Sequence, residues 1–208
     1  MNDPLPTDDA VVERDEVDAA LFWHEHKKNI LLGALAFVVV VGGSILWYAS
    51  STLTAEAARA ALADAKDIPQ FEAIITKYGG AMPAADALLL VAAANRDAGK
   101  LDESTAAFQK FQTSFPNHPL AGGALLGVGQ NLDAAGNSQE AVTTYQLVME
   151  KYPKSYAAPF AGYAQAEILL RDFRRDEARV ILDSLISQFP ESTVARLAAA
   201  QVARLGKN

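Results

Sequence analysis

Apolar residues in the last two-thirds of this chain fall on a fixed step of 37. Phe71, Phe108, Tyr145 and Leu182 form one row; Ile74, Phe111, Val148 and Leu185 form a second; Tyr78, Phe115, Tyr152 and Phe189 form a third. Within each segment, FEAIITKY, FQKFQTSF, YQLVMEKY and LDSLISQF, the apolar positions recur at i, i+3 and i+7, one face of a helix. A second apolar stretch precedes the later segments: Ala84 to Ala98, Ala121 to Ala135 and Ala158 to Leu170. Between the paired stretches stand Gly99 and Gly136, residues that can take positive φ and close a helix. Phe173 holds this place in the third copy, so that turn is expected to be built differently. Pro116, Pro153 and Pro190 stop the second helix of each copy, since proline has no N–H to donate. Each unit thus reads as helix, tight turn, helix, proline stop. A period of this size predicts an all-α solenoid of helical hairpins in which each unit buries its apolar face against its neighbours.

Ahead of the repeats lies a different pattern. Ile30 to Ala49, ILLGALAFVVVVGGSILWYA, carries no charge, and twenty helical residues rise roughly 30 Å, the thickness of a bilayer's hydrocarbon core. Trp23 precedes the run and Trp47–Tyr48 close it, as interfacial aromatics would. The run is longer than the apolar core of a cleaved signal peptide and follows an acidic leader, so it reads as an uncleaved anchor. Lys27 and Lys28 abut its near end, which places the N-terminus in the cytoplasm and the repeats outside. The chain divides into an acidic tail over 1–28, a transmembrane helix over 29–50, a connecting helix over 51–69 and a repeat domain over 70–208.

Charge sharpens this division. Residues 1–26 hold eight acids against Arg14 alone, and the whole chain has a net charge of −7, so the remainder is balanced. Asn2 to Thr7, with two prolines, reads as disordered. The acidic run is either a solvated tail or a contact for a basic cytoplasmic partner. The neutral repeat domain gives no electrostatic footprint for nucleic acid. Zero cysteine excludes disulfides, thiolate chemistry and a lipoprotein anchor.

Candidate chemistry is sparse. His24 and His26 flank Glu25, but residues two apart on a helix face different directions, so no metal site is expected. His118 lies in what reads as an exposed turn, and no nucleophile has a base beside it. Asp172 and Asp176 stand one turn apart beside Arg174 and Arg175 and read as solvated charges. No enzyme, cofactor or small-molecule substrate is expected.

The units resemble the tetratricopeptide repeat. Counting back from Pro153, Tyr145, Ala141, Gly136 and Gly129 fall on that family's aromatic, small, turn and first-helix glycine positions, with Leu125, Val128 and Leu132 on its large apolar ones. The preceding unit matches through Pro116, Phe108, Ser104, Gly99, Ala92, Leu88 and Val91, but has Asn95 where an apolar residue belongs. The following unit has Gly162 and Gln165 as departures. Three residues beyond the usual period of about 34 follow each proline. The resemblance implies that first helices line a concave groove, at Asp86, Leu89, Ala93 and Arg96, then Gly123, Leu126, Gln130 and Asp133, then Phe160, Tyr163, Glu167 and Leu170. The expected partner-binding residues are Leu89, Arg96, Leu126, Gln130, Tyr163 and Glu167. Leu89, Leu126 and Tyr163 replace the lysine and asparagine of a carboxylate clamp with an apolar ladder, open to a partner or covered by the terminal helix.

Tail, anchor and alanine-rich repeats together resemble the single-span bacterial family that includes the ancillary subunit of the Sec translocon. The resemblance implies a non-enzymatic, inner-membrane scaffold or chaperone-like adaptor. Its partners would be exported chains, translocon components or periplasmic chaperones. Envelope assembly or cell-division coordination of the Tol-Pal-associated type, and a regulatory subunit of a membrane complex, are the alternatives.

Overall fold

A computed structural model describes the backbone of residues 8–206 and the side chains of 22–24 and 26–206. The expected disorder of Asn2–Thr7 lies outside the described residues, as do the side chains of the acids up to Asp18. Among the described residues the fold is all-helical: α1 Asp8–Asp64, α2 Ile68–Tyr78, α3 Met82–Asp97, α4 Leu101–Ser114, α5 Ala121–Ala134, α6 Ser138–Lys151, α7 Ala157–Arg171, α8 Arg175–Gln188 and α9 Thr193–Leu205. The chain divides into two compact units, Met1–Leu53 and Thr54–Asn208.

In the first unit α1 runs without a break. One stretch, His26–Asp64, is long and apolar enough to cross a membrane, with a mean hydropathy of 2.5 in its best window. Over residues 30–53 the apolar side chains are exposed, among them Leu32, Phe37, Val40 and Leu46, while Ala58, further along the helix, is buried. Inside this stretch the Ser44 hydroxyl donates to the Val40 carbonyl at 2.7 Å, so its polar group is satisfied by its own helix.

The second unit is a tetratricopeptide-like helical solenoid. Helices pair as α3 with α4, α5 with α6 and α7 with α8, each pair packs on the next, and α9 closes the series. Phe108, Phe111, Tyr145, Val148, Leu182 and Leu185, predicted from the 37-residue step, are all buried. Helix ends follow from local chemistry. Asp67 caps α2, its Oδ1 accepting from the Gln70 N–H at 3.0 Å, and the Ser192 Oγ does the same for Ala195 at the start of α9, also at 3.0 Å. Phe115, Tyr152 and Phe189 end α4, α6 and α8 at φ −134°, −128° and −129°, each just before its proline.

The tight turns correct one expectation. Gly99 and Gly136 take φ +74° and +83°, and Phe173 takes φ +62° in the same place. The hydrogen bonds match as well. Lys100, Asn137 and Arg174 donate their N–H to the carbonyls of Asn95, Leu132 and Leu169, all at 2.8 Å. The third turn is therefore built like the others, with a phenylalanine held in the left-handed region. Packing of α7 on α8 imposes the turn, and the side chain accepts the strain.

Candidate partner-binding face

The first helices of successive units touch one another, α5 with α7 and α7 with α9, while no comparable contact joins the second helices. The first helices therefore line the inner side of the solenoid. Arg96 of α3 also reaches α5: its Nε donates to Asn131 Oδ1 at 2.7 Å, its Nη1 to Gln130 Oε1 at 2.8 Å and its Nη2 to the Gly127 carbonyl at 2.7 Å. Its guanidinium also stacks 5.3 Å from the centre of the Phe108 ring. Burial pulls its pKa below the ordinary arginine value. Asn131, 1% exposed, passes the network on, its Nδ2 donating to Ser104 Oγ at 2.9 Å and Thr105 Oγ1 at 3.1 Å. On the far side, Arg171 of α7 pairs with Asp133 of α5 at 2.5 Å and donates to Ser138 Oγ at 3.1 Å.

Of the residues expected to hold a partner, few are open. Leu126 is buried, 8% exposed, within the core of the second unit. Leu89 and Tyr163 are half-buried against neighbouring clusters. The three do not form an exposed ladder: Leu126 fills space between helices. The Arg96 guanidinium makes three hydrogen bonds between units and Gln130 accepts one of them. Glu167 is exposed beside Tyr163, and burial together with this carboxylate raises the Tyr163 pKa. His118 is less open than its turn suggested. Its ring meets Phe111 edge-on at 5.2 Å and its Nδ1 accepts from the Leu120 N–H at 3.1 Å.

An open pair of large apolar side chains lies one turn away. Phe160 on α7 and Leu197 on α9 are 50% and 49% exposed and stand 37 residues apart, and Tyr156, just before α7, is exposed as well. The half-buried Tyr163 borders this row on α7. Phe160 was expected at a groove position; Leu197 was not, though the 37-residue step from Phe160 reaches it. Tyr156 carried no signal, because it falls in an inter-unit turn where the rows have no fixed meaning.

Three stretches, 86–118, 124–155 and 160–192, match the tetratricopeptide repeat family model. The three matches fall in turn on α3–α4, α5–α6 and α7–α8. Among solved structures, a tetratricopeptide repeat protein from Parabacteroides merdae ATCC 43184 is similar at a TM-score of 0.54 and 16% identity, over 77% of this chain and 61% of that one. MamA is similar at a TM-score of 0.48 and 14% identity, over 66% of this chain and 79% of that one. A comparison with curated proteins returned no match.

Proposed function

We propose that this chain is a membrane-anchored, non-enzymatic scaffold that holds polypeptide partners against the inner face of its repeats. The observation that carries the reading is the Phe160–Leu197 row. Two large apolar side chains, each half-exposed on consecutive first helices, present a surface that water alone leaves unfavourable. Burying such area contributes roughly 25 cal/mol per Å². The apolar stretch of α1 serves as a single-pass anchor in a bacterial inner membrane. Lys27 and Lys28 hold the N-terminus in the cytoplasm and the repeats face the periplasm. In that place the partners are chains leaving the Sec translocon, its components, or chaperones that receive them.

The test has two parts. Protease added to spheroplasts should remove the repeats and leave the first 28 residues protected; protected repeats would overturn the orientation. A photocrosslinking residue at Phe160 in living cells should give adducts with exported polypeptides, while one at Val180, 69% exposed on α8, should not. Equal labelling from both positions would sink the inner-face reading.

A further inference from the structure

The second helices leave a cleft of their own. Between α2 and α4, with α3 as floor, lies a cleft of about 780 Å³ lined by Ile75, Leu88, Val91 and Asn95 and rimmed by Glu72, Glu103, Lys100 and Lys110. The equivalent cleft one unit on, between α4 and α6, holds about 390 Å³. The difference follows from residues 37 apart. Asn95 stands where the next unit has Leu132, and Ala106 and Ala107 where it has Thr143 and Thr144.

Asn95 gives this cleft its chemistry. It is 7% exposed, and no hydrogen bond joins its side-chain amide to any described residue. Yet neither amide atom is sealed from solvent, as the Gln165 Oε1 is. The amide therefore opens into the cleft, with one acceptor and two donors unmet by protein. Water meets these groups until a ligand with a matching donor and acceptor displaces it.

We propose that this cleft is a second polypeptide-binding site, in which the Asn95 amide pairs with a main-chain peptide group of an extended segment whose apolar side chains rest on Leu88, Val91 and Ile75. A peptide group offers one N–H and one C=O, the complement of a side-chain amide; an acyl chain would leave both sides of Asn95 unmet. The rim holds two cations and two anions, so it selects against neither sign. Lining residues on α2 run from Ile68 to Thr76, a length of about 12 Å at about 1.5 Å per residue. That accommodates about three or four residues of extended chain at about 3.3 Å each. The site is independent of the inner face and stands whether or not that face binds.

The test uses the full chain in lipid nanodiscs with isotope-labelled methyl groups and side-chain amides. The probe is the capped peptide acetyl-Leu-Ala-Leu-Ala-amide. Titration should shift the Asn95 amide resonance together with the methyls of Leu88, Val91 and Ile75. Asn95→Leu installs the residue that the next two units carry, so the helices should remain intact by circular dichroism. It should weaken the peptide roughly thirtyfold, as expected for two hydrogen bonds. Asn95→Ala, which leaves the cleft open, should weaken it as much. Phe160→Ser should leave this titration unchanged. Full binding by Asn95→Ala, shifts confined to the inner face, or shifts caused by octanoate and not by the peptide would each overturn the proposal.

Discussion

Gly129 shows how closely the units are fitted. A Cβ placed there would lie 2.5 and 2.7 Å from Cε1 and Cδ1 of Tyr145. Carbon atoms prefer about 3.5–4.0 Å, so the ring would have to move by about 1 Å. Tyr145 is 1% exposed and packed among Ala141, Val148 and Ile168, which leaves it no room to swing. Overpacking of this kind costs about 1–3 kcal/mol. Against it stands the gain of replacing a mid-helix glycine with alanine, about 1 kcal/mol. Gly123, in the first turn of α5, receives at most that propensity gain. There a Cβ would meet the far end of Tyr156, which is 57% exposed and free to turn away. Propensity favours the change at Gly129 at least as much as at Gly123, so a lower stability at Gly129 reports the clash. Gly123→Ala should stabilise the full chain in urea denaturation, and Gly129→Ala should fall about 1–3 kcal/mol below it. The double change Gly129→Ala with Tyr145→Leu should recover part of that loss, because the third unit pairs Ala166 with Leu182 at these places. Equal stability of the two alanine variants, or no coupling in the double, would refute the packing argument.

Two further outcomes follow from strain and from burial. Phe173→Gly should raise the thermal midpoint: a left-handed non-glycine residue costs about 1–2 kcal/mol, and the added freedom of the unfolded glycine returns only about 0.5–1 kcal/mol. At about 2–4 °C per kcal/mol the shift is measurable, and a lowered midpoint would mean that the ring, 87% exposed, makes a contact worth more than its strain. Burial, with the Asp133 charge adding to it, pushes the Tyr145 hydroxyl up to about 12, while an unfolded tyrosine titrates near 10. The folded state thus keeps its proton longer, so this contribution is whole below about pH 10 and is lost as pH rises towards 12. The slope is at most about 1.4 kcal/mol per pH unit, and Tyr145→Phe should remove it. Parallel stability curves for the two proteins from pH 9 to 12 would contradict the assignment.

The architecture was legible because a repeat states the same message several times. Phe108, Tyr145 and Leu182 are each a modest signal, but their common step fixes helix, face and neighbour together. The inner face was harder to read. Position within a repeat tells which way a residue points, not how near the next helix lies. Leu126 points where the pattern said, and it is buried because α7 lies against α5 and brings Ala157 and Ala161 into the same cluster. Arg96 reads as a free cation until Asn131, 35 residues on, is brought beside it. The αL turn at Phe173 could not be inferred from its side chain, because tertiary packing overrode local preference.

The side-chain ties are unevenly placed, and this sets an order of failure under load. Arg96 straps the third helix to the fifth, and Arg171 straps the seventh to Asp133 of the fifth and to Ser138 at the start of the sixth. Among the described residues no such strap reaches α9, which adheres through apolar contacts of Val194, Ala195 and Ala198, with Val202 and Leu205 packed beside them. A pull on the C-terminal end would therefore peel α9 away first at low force. The second repeat, gripped from both flanks, would be the last to unravel.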